Sequence, residues 1–328
     1  MHDTHQGGET DRYDVSGDWR GDNQAWWDWY VSLAHNAEPA DRRITASPPM
    51  AKPAGVAELI AELDAPYALT ADHIAQFRRD GSVKLKGVVS AAATARLRQV
   101  MTERLATAFS TTLDGGADGR FLSLEMVWLD DPVLRAFTLS PRIAGICGAL
   151  LGVDAVRLYH DNLLSKEPGC GRTPWHYDAH HFPLATNDVV TAWIPAQAIP
   201  REMGPLAFAR PIDAWRRVAD IPFDKTDDSY DRRVAETFRN AGVDVEDGPF
   251  EEGEVSFHHN LSFHTAGANS TTLSRVVLAN TYFADGARVV DAPTQVSGDW
   301  RKFIPETEPG ETAASRLNPV CWRAQTER

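Results

Sequence analysis

The segment TPWHYDAHHFPL, residues 173–184, carries a histidine and a carboxylate two positions apart, His176 and Asp178. Because side chains at i and i+2 of a β-strand lie on the same face, a strand here would project the imidazole and the carboxylate together. One further histidine would complete a set of two histidines and one carboxylate on one side of a metal ion. Such a facial triad leaves coordination positions open and is typical of non-haem Fe(II) oxygenases.

Three later histidines are candidates for the third ligand: His258, His259 and His264. Arg275 follows His264 by 11 residues and opens the apolar run RVVLANTYF. A planar guanidinium is well matched to a carboxylate. An α-keto acid needs such an anchor, because its keto-acid end chelates iron while its far carboxylate stays free. The combined pattern predicts an iron site, whereas the alternative is a core His176 and a surface His264 without metal.

Helical patterns precede these residues and would pack beside the site. Thr70 is a plausible N-cap for a helix that ends at Gly81, and Ser90 is one for a longer amphipathic helix. The predicted helices span residues 71–80, 91–109 and 141–151.

Short strand-like runs bounded by Gly, Pro, Asn and Asp dominate the chain from Val153 onward. The predicted strands are residues 155–164, 189–194, 205–209, 254–258 and 275–283, with a polar, helical insert at 227–241. Helices followed by a β-rich half predict one α+β domain whose core is a sandwich or barrel.

Composition excludes several classes of protein. The chain has 328 residues, 43% hydrophobic and 24% charged, which is typical of a globular protein. A formal net charge of −13 argues against general nucleic-acid or anionic-membrane binding. We expect neither a membrane span nor a signal peptide. Three scattered cysteines argue against a disulfide framework, so we predict a cytoplasmic protein.

The N-terminal region differs from the rest of the chain. Residues 19–30 contain four of the ten tryptophans, and residues 36–54 contain four prolines and read as a linker. We predict that the aromatic segment packs on the main domain, with a lid or a dimer contact as the alternative. The predicted organisation is an N-terminal segment and linker, 1–54, followed by a single domain, 55–328, with its β-rich core at about 153–285.

The sequence resembles the phytanoyl-CoA dioxygenase family of Fe(II)- and 2-oxoglutarate-dependent oxygenases over about residues 66–285. The resemblance is carried by LTADHIAQFRRDGSVKLKGVVS, RLYHDNLLSKEPGCGRTPWHYDAHHFPL, VTAWIP, EMGPLAFA and the final histidine and arginine. It implies a double-stranded β-helix (a cupin-like jelly roll) with flanking helices. It also implies that His176, Asp178 and His264 bind Fe(II) and that Arg275 binds the distal carboxylate of 2-oxoglutarate.

The resemblance further implies that Asn162 contacts the cosubstrate and that Trp193 packs beside it. Some relatives have a hydroxyl two positions after the last histidine, where this chain has Ala266, and Thr265 is the candidate replacement. A Gly-Ser-His that is frequent in the family is replaced by residues 210–212, Arg-Pro-Ile. That departure concerns the substrate side of the pocket rather than the metal side.

The family chemistry uses O2 and releases succinate and CO2. Hydroxylation of a small or medium organic molecule, in specialised (natural-product) metabolism, is the expected reaction, with desaturation, epoxidation or cyclisation as alternatives. A non-catalytic metal-binding jelly roll and a zinc hydrolase are the other classes. Asp178 argues against halogenation, because related halogenases have a small residue there. The candidate substrate residues near the pocket mouth are His180, His181, Phe182, Glu202 and Met203.

Overall fold

The computed structural model describes residues 50–109, 119–222, 228–293 and 300–325. The predicted aromatic segment lies outside these ranges, so its packing stays a prediction. The helices in the described ranges are α1 (Val56–Asp64), α2 (Ala71–Asp80), α3 (Ala91–Phe109), α4 (Pro132–Thr138), α5 (Pro141–Leu151) and α6 (Ser229–Ala241).

The strands in the described ranges form two antiparallel sheets. They are β1 (Ser82–Leu85), β2 (Phe121–Glu125), β3 (Ala155–Lys166), β4 (Thr173–His176), β5 (Val189–Pro195), β6 (Leu206–Arg210), β7 (Asp244–Glu246), β8 (Val255–His259), β9 (His264–Ala266), β10 (Arg275–Ala284) and β11 (Val320–Arg323). The major sheet has the order β1-β8-β5-β10-β3-β11, with β2 also paired to β3, and the minor sheet has the order β4-β9-β6-β7. This is the predicted α+β jelly roll with flanking helices.

Local sequence signals account for the predicted helices. The Thr70 hydroxyl accepts a hydrogen bond from the His73 amide at 3.2 Å, and the chain leaves α2 through Gly81, whose φ of 77° suits glycine. The helices predicted at 71–80, 91–109 and 141–151 are confirmed with the same bounds. The short elements α1, α4, β2, β7 and β11 were not predicted, because packing rather than local pattern stabilises elements of this length.

One segment meets the length and hydropathy criteria of a membrane span by composition alone. Pro132–Leu151 has the length and hydropathy of a span, and 61% of its most apolar window is buried inside the protein. The segment forms α4 and α5, which are separated at Leu139 and Ser140. Its apolar side chains belong to the core between the helices and the major sheet.

The two faces of the major sheet pack against different partners. Ala192, Ile194 and Leu278 belong to the apolar core that includes the helices. Trp193, Val277 and Ala279 alternate with them and pack against the minor sheet. Cross-strand register aligns two rows on this inner face: His258, Thr191, Thr281 and His160 in one, and Ser256, Trp193, Ala279 and Asn162 in the other. The space between the sheets is therefore where polar side chains converge.

Candidate metal centre and cosubstrate pocket

The structure brings together the three predicted iron ligands. One ligand atom from each of His176, Asp178 and His264 lies within 4.8 Å of the others. Asp178 Oδ1 is 3.6 Å from His176 Nε2 and 3.8 Å from His264 Nε2. Two imidazoles and one carboxylate thus face a common point, in the arrangement that leaves other positions of a metal open.

The backbone reaches this arrangement differently from the prediction. His176 is the last residue of β4, whereas Asp178 opens a 3₁₀ turn, Asp178–His181. The prediction that both residues lie in one strand is therefore wrong for Asp178. Tyr177 between them keeps extended angles, φ −130° and ψ 153°, so the two side chains still project to the same side.

Backbone carbonyls orient both histidine rings. The Nδ1 atom of His176 lies 2.8 Å from the Pro174 carbonyl oxygen, and that of His264 lies 2.9 Å from the Ser262 carbonyl oxygen. A carbonyl can only accept, so each Nδ1 donates and each Nε2 keeps its lone pair toward the cluster. This is how proteins usually prepare histidine for a metal.

The electrostatics favour the protonation states that a metal requires. Burial raises the pKa of Asp178, but His264, His258 and His176 outweigh burial, and the net pKa lies well below its ordinary value. Burial lowers the pKa of His264 to about 3, with His176 adding to the effect. An ionised carboxylate and a neutral imidazole are the ligand forms, so these residues fit a divalent metal ion.

The other two candidate third ligands occupy different positions. His259 Nδ1 accepts from the Leu261 amide at 3.1 Å, and the His259 amide donates to the Gly81 carbonyl at 2.8 Å. His258 Nε2 lies 3.4 Å from Asp178 Oδ2, the oxygen that is turned away from the two ligand histidines. His258 therefore adjoins the cluster through the carboxylate.

Arg275 begins β10 in the interior, with 2% of its surface exposed. Its Nη1 donates to the Gly204 carbonyl at 2.5 Å. The guanidinium carbon lies 5.3 Å from the ring of Trp193, which packs against Phe250 with ring centroids 4.9 Å apart. A buried cation held by an aromatic face is well placed to bind an anion that enters between the sheets.

A second buried cation was not predicted. Lys166 ends β3, is 0% exposed and pairs in register with Arg275. Its Nζ donates to the carbonyls of Gly171 at 2.9 Å and Gly267 at 2.8 Å, and burial followed by the charge of Arg275 lowers its pKa. The structure thus places a second basic side chain beside Arg275, with its charged form disfavoured by burial. The sequence signal that could have revealed this residue is a lysine at the end of an apolar strand.

Asn162 lies on the inner face of β3, in the same row as Trp193. The Ser123 hydroxyl donates to Asn162 Oδ1 at 2.8 Å, which leaves the amide nitrogen to contact an oxygen of a ligand. Thr265 follows His264 on the opposite face of β9, and its hydroxyl donates to the Thr173 carbonyl. The geometry therefore supports the predicted position of Asn162 but offers no support for a cosubstrate contact by Thr265.

The five predicted substrate residues divide into two groups. His180 and His181 continue the turn that Asp178 opens, and the His180 ring centroid is 4.0 Å from that of Tyr177. Glu202 is half-buried in the turn before Gly204, and its carbonyl accepts from the Ser270 amide at 2.8 Å. These three residues remain candidates for the rim of the pocket.

Phe182 and Met203 lie deeper, in buried clusters of apolar side chains. Phe182 meets Tyr159 edge to face with centroids 5.0 Å apart, inside a buried aromatic cluster. Met203 is 2% exposed and belongs to the core around Trp193, with its Sδ 3.1 Å from Gln197 Nε2. Cross-strand packing encloses both side chains, and their contact with a substrate stays a prediction.

A jelly roll that holds two histidines, one carboxylate and a nearby buried arginine between its sheets is the architecture of a non-haem iron, 2-oxoglutarate-dependent oxygenase. The sequence profile of the phytanoyl-CoA dioxygenase (PhyH) family matches residues 77–277, which is more than half of the chain, and the protein belongs to this family. Its cofactors are Fe(II) and 2-oxoglutarate. A non-catalytic jelly roll and a zinc hydrolase are not favoured.

Solved structures share the fold at low sequence identity. The α-ketoglutarate-dependent epimerase SnoN from nogalamycin biosynthesis is 24% identical with a TM-score of 0.61, and the alignment covers 78% of this chain and 97% of SnoN. The carbocyclase SnoK from the same biosynthesis is 22% identical with a TM-score of 0.60, covering 78% and 99%. EctD from S. alaskensis is 19% identical with a TM-score of 0.57, covering 82% and 94%. A comparison with curated proteins finds no match.

Proposed function

We propose that this oxygenase hydroxylates an unactivated C–H bond of a small or medium organic molecule. In this proposal His176, Asp178 and His264 bind the iron, and Arg275 binds the distal carboxylate of 2-oxoglutarate. The observation that carries the proposal is the convergence of the three ligand atoms within 4.8 Å, with both histidine Nδ1 atoms already bonded to carbonyls.

The bound iron would supply O2 activation coupled to oxidative decarboxylation of 2-oxoglutarate. The overall change is R–H + O2 + 2-oxoglutarate → R–OH + succinate + CO2. The protein contributes fixed ligands, a carboxylate anchor and a site enclosed between two sheets. Arg275 and Lys166 favour the dicarboxylate electrostatically, Trp193 limits its movement, and the Asn162 amide can donate to one of its oxygens.

Asp178 supports hydroxylation over halogenation, because its carboxylate takes the position that a halide would need. Desaturation, epoxidation and cyclisation remain alternatives, since they require the same ligands and differ only in the fate of the substrate radical. The fold itself does not select among outcomes, because an epimerase and a carbocyclase share it. The outcome therefore has to be read from the product.

The formal net charge of −13 supports a substrate other than a coenzyme A thioester, whose phosphates would be repelled. We place the substrate among small or medium organic molecules of specialised metabolism. The protein is proposed to act in the cytoplasm on this small molecule, without a nucleic-acid or membrane partner.

A substrate screen read out by succinate formation tests the proposal. Candidate molecules are incubated with the protein, Fe(II), 2-oxoglutarate and 18O2, and the mass of each product is measured by mass spectrometry. Hydroxylation predicts one 18O atom in succinate and one in the product, whereas desaturation yields a product two mass units lighter than the substrate. A protein that binds Fe(II) but never consumes 2-oxoglutarate in an O2-dependent way would contradict the oxygenase assignment.

A further inference from the structure

The two oxygens of Asp178 have different neighbours. Oδ1 is the atom that lies 3.6 Å from His176 Nε2 and 3.8 Å from His264 Nε2. Oδ2 points the other way and lies 3.4 Å from Nε2 of His258. The carboxylate therefore offers one oxygen to the ligand cluster and the other to a third histidine.

His258 is held firmly in place. It lies in β8, paired with Ser82 of β1 on one side and Thr191 of β5 on the other, and it is 3% exposed. Its ring centroid is 4.8 Å from that of His264 and 5.5 Å from that of Phe208. The imidazole is thus fixed by backbone pairing and by ring contacts on the side facing the minor sheet.

The surroundings of its two ring nitrogens favour one tautomer of His258. Within the described ranges its Nδ1 is buried and has no hydrogen-bond partner. A proton on Nδ1 would be a buried, unsatisfied donor, and it would leave an Nε2 lone pair facing a carboxylate oxygen. A proton on Nε2 avoids both costs. The 3.4 Å separation exceeds an ordinary N–H···O distance by a few tenths of an ångström.

We propose that His258 is a positioning residue for the metal ligand Asp178: its Nε2–H donates to Oδ2 and keeps the carboxylate bound to iron through Oδ1 alone. The inference rests on the proposed assignment of Asp178 as an iron ligand. Without the donor, the carboxylate is free to rotate and bring both oxygens to the metal. A two-oxygen contact would occupy a position that the keto acid or O2 requires.

Three variants test the proposal against wild type. H258Q keeps a donor that can reach Oδ2, H258L removes the donor at similar bulk, and H259L removes the neighbouring histidine as a matched control. Fe(II) affinity is measured anaerobically by competition with a chelator. Binding of 2-oxoglutarate to the Fe(II)-saturated protein is followed by its visible charge-transfer band, and near-ultraviolet circular dichroism reports folding.

We expect H258L to bind Fe(II) about 10- to 100-fold more weakly than wild type, as loss of a partner of a metal ligand typically does. At saturating metal it should also give a weaker or shifted charge-transfer band. H258Q should stay within a few-fold of wild type in both measurements, and H259L should match wild type. Rescue by glutamine separates hydrogen bonding to Asp178 from a general packing effect.

Two results would overturn the proposal. One is an H258L protein whose affinity and band equal those of wild type. The other is an H258Q protein that is folded yet as impaired as H258L, which would make the imidazole itself the required group. If H258L does not fold, H258M provides the donor-free comparison under the same criteria. Failure of the wild type to bind Fe(II) and 2-oxoglutarate would instead contradict the proposed function.

Discussion

The two sheets contribute to the site in different ways. The two candidate ligand histidines come from short strands of the minor sheet: β4 has four residues, β9 has three, and their pairing is irregular between Thr173 and His176. The proposed anchor for 2-oxoglutarate, Arg275, comes from β10 of the major sheet, which has ten residues and is paired along both edges. The metal side thus has little regular backbone support, whereas the anchor side is held along its whole length.

Side-chain contacts compensate for the brevity of the minor-sheet elements. The Trp175 amide, adjacent to His176, donates to Asp231 of α6 at 2.8 Å, and Arg172 also pairs with Asp231 at 2.8 Å. The carbonyl contacts of the ligand histidines and the approach of His258 to Asp178 act in the same way. The lesson is that the metal side depends on individual polar contacts, while the anchor side depends on strand pairing and burial.

The largest expected effect is at the metal side. His264→Ala and Asp178→Ala each remove a ligand, and we expect Fe(II) affinity to fall by more than about 100-fold, beyond the loss typical of a supporting contact. Anaerobic titration with Fe(II) and 2-oxoglutarate, read by the charge-transfer band, is the measurement. An unchanged band in H264A would remove His264 from the ligand set and return His258 and His259 as candidates.

The next effect is at the anchor side and concerns the cosubstrate alone. A hydrogen bond to a charged group contributes about 1.5–3 kcal/mol, and about 1.4 kcal/mol is tenfold in affinity. Arg275→Ala should therefore weaken 2-oxoglutarate binding about 10- to 100-fold while Fe(II) stays bound. Arg275→Lys keeps the positive charge but loses the paired N–H donors of the guanidinium. Its affinity for 2-oxoglutarate should therefore lie between those of wild type and Arg275→Ala.

Pyruvate is the control ligand for this experiment, because it lacks the distal carboxylate. It should bind wild type weakly and be nearly indifferent to Arg275→Ala under the same anaerobic conditions. An R275A protein that binds 2-oxoglutarate as tightly as wild type would mean that the cosubstrate is held elsewhere.

A smaller effect is expected where the two sheets meet at Gly204. Its carbonyl accepts from Arg275, its φ is 73°, and an added Cβ would lie 2.2 Å from the Gly267 carbonyl oxygen. Gly204→Ala should lower the melting temperature by several degrees and weaken 2-oxoglutarate binding by a few-fold. Gly87→Ala is the matched control, because Gly87 has a φ of 62° with nothing within 4 Å of an added Cβ. Equal loss in both variants would show that the backbone angle, not the contact with Gly267, is responsible.

The smallest effect compares two aspartates with opposite electrostatics. Asp178 has a lowered pKa among histidines, whereas burial in the major-sheet core raises the pKa of Asp161 to about 7, despite a hydrogen bond from the Trp128 amide. Folding therefore favours protonated Asp161, and the stability of the wild type should fall as pH rises from about 4 to about 7. Asp161→Asn should remove this dependence. The melting temperature of the variant minus that of wild type should therefore be higher at pH 8 than at pH 5. Parallel melting curves at these two pH values are the measurement, and an identical difference at both would contradict the raised pKa.

Much of this site could be predicted because its chemistry lies in short sequence patterns. The spacing of His176 and Asp178 and the distance from His264 to Arg275 are visible in one dimension. The strand runs were also predictable to within a residue or two, because alternation and turn residues bound them. The resemblance to a family resolved the choice among three histidines that spacing alone left open.

What could not be predicted depends on cross-strand register. Lys166 lies beside Arg275 because β3 pairs with β10 in a register that places the two residues opposite each other. The burial of Met203 in one cluster with Trp193 likewise comes from strand packing and not from a local pattern. The contact of His258 with Asp178 joins β8 to a turn about 80 residues earlier, and no local pattern encodes such a pair. These features appear only when the sheets are assembled.

The strand order also has a consequence for synthesis on the ribosome. Among the described strands β1 pairs only with β8, which begins at Val255, so about 170 residues separate the two partners. At about 5–20 residues per second, the nascent chain carries β1 without its partner for roughly 9–34 s. His176 and Asp178 likewise emerge well before His264. The three proposed iron ligands are therefore present together only after His264 has emerged, and the strand that carries Arg275 follows later still.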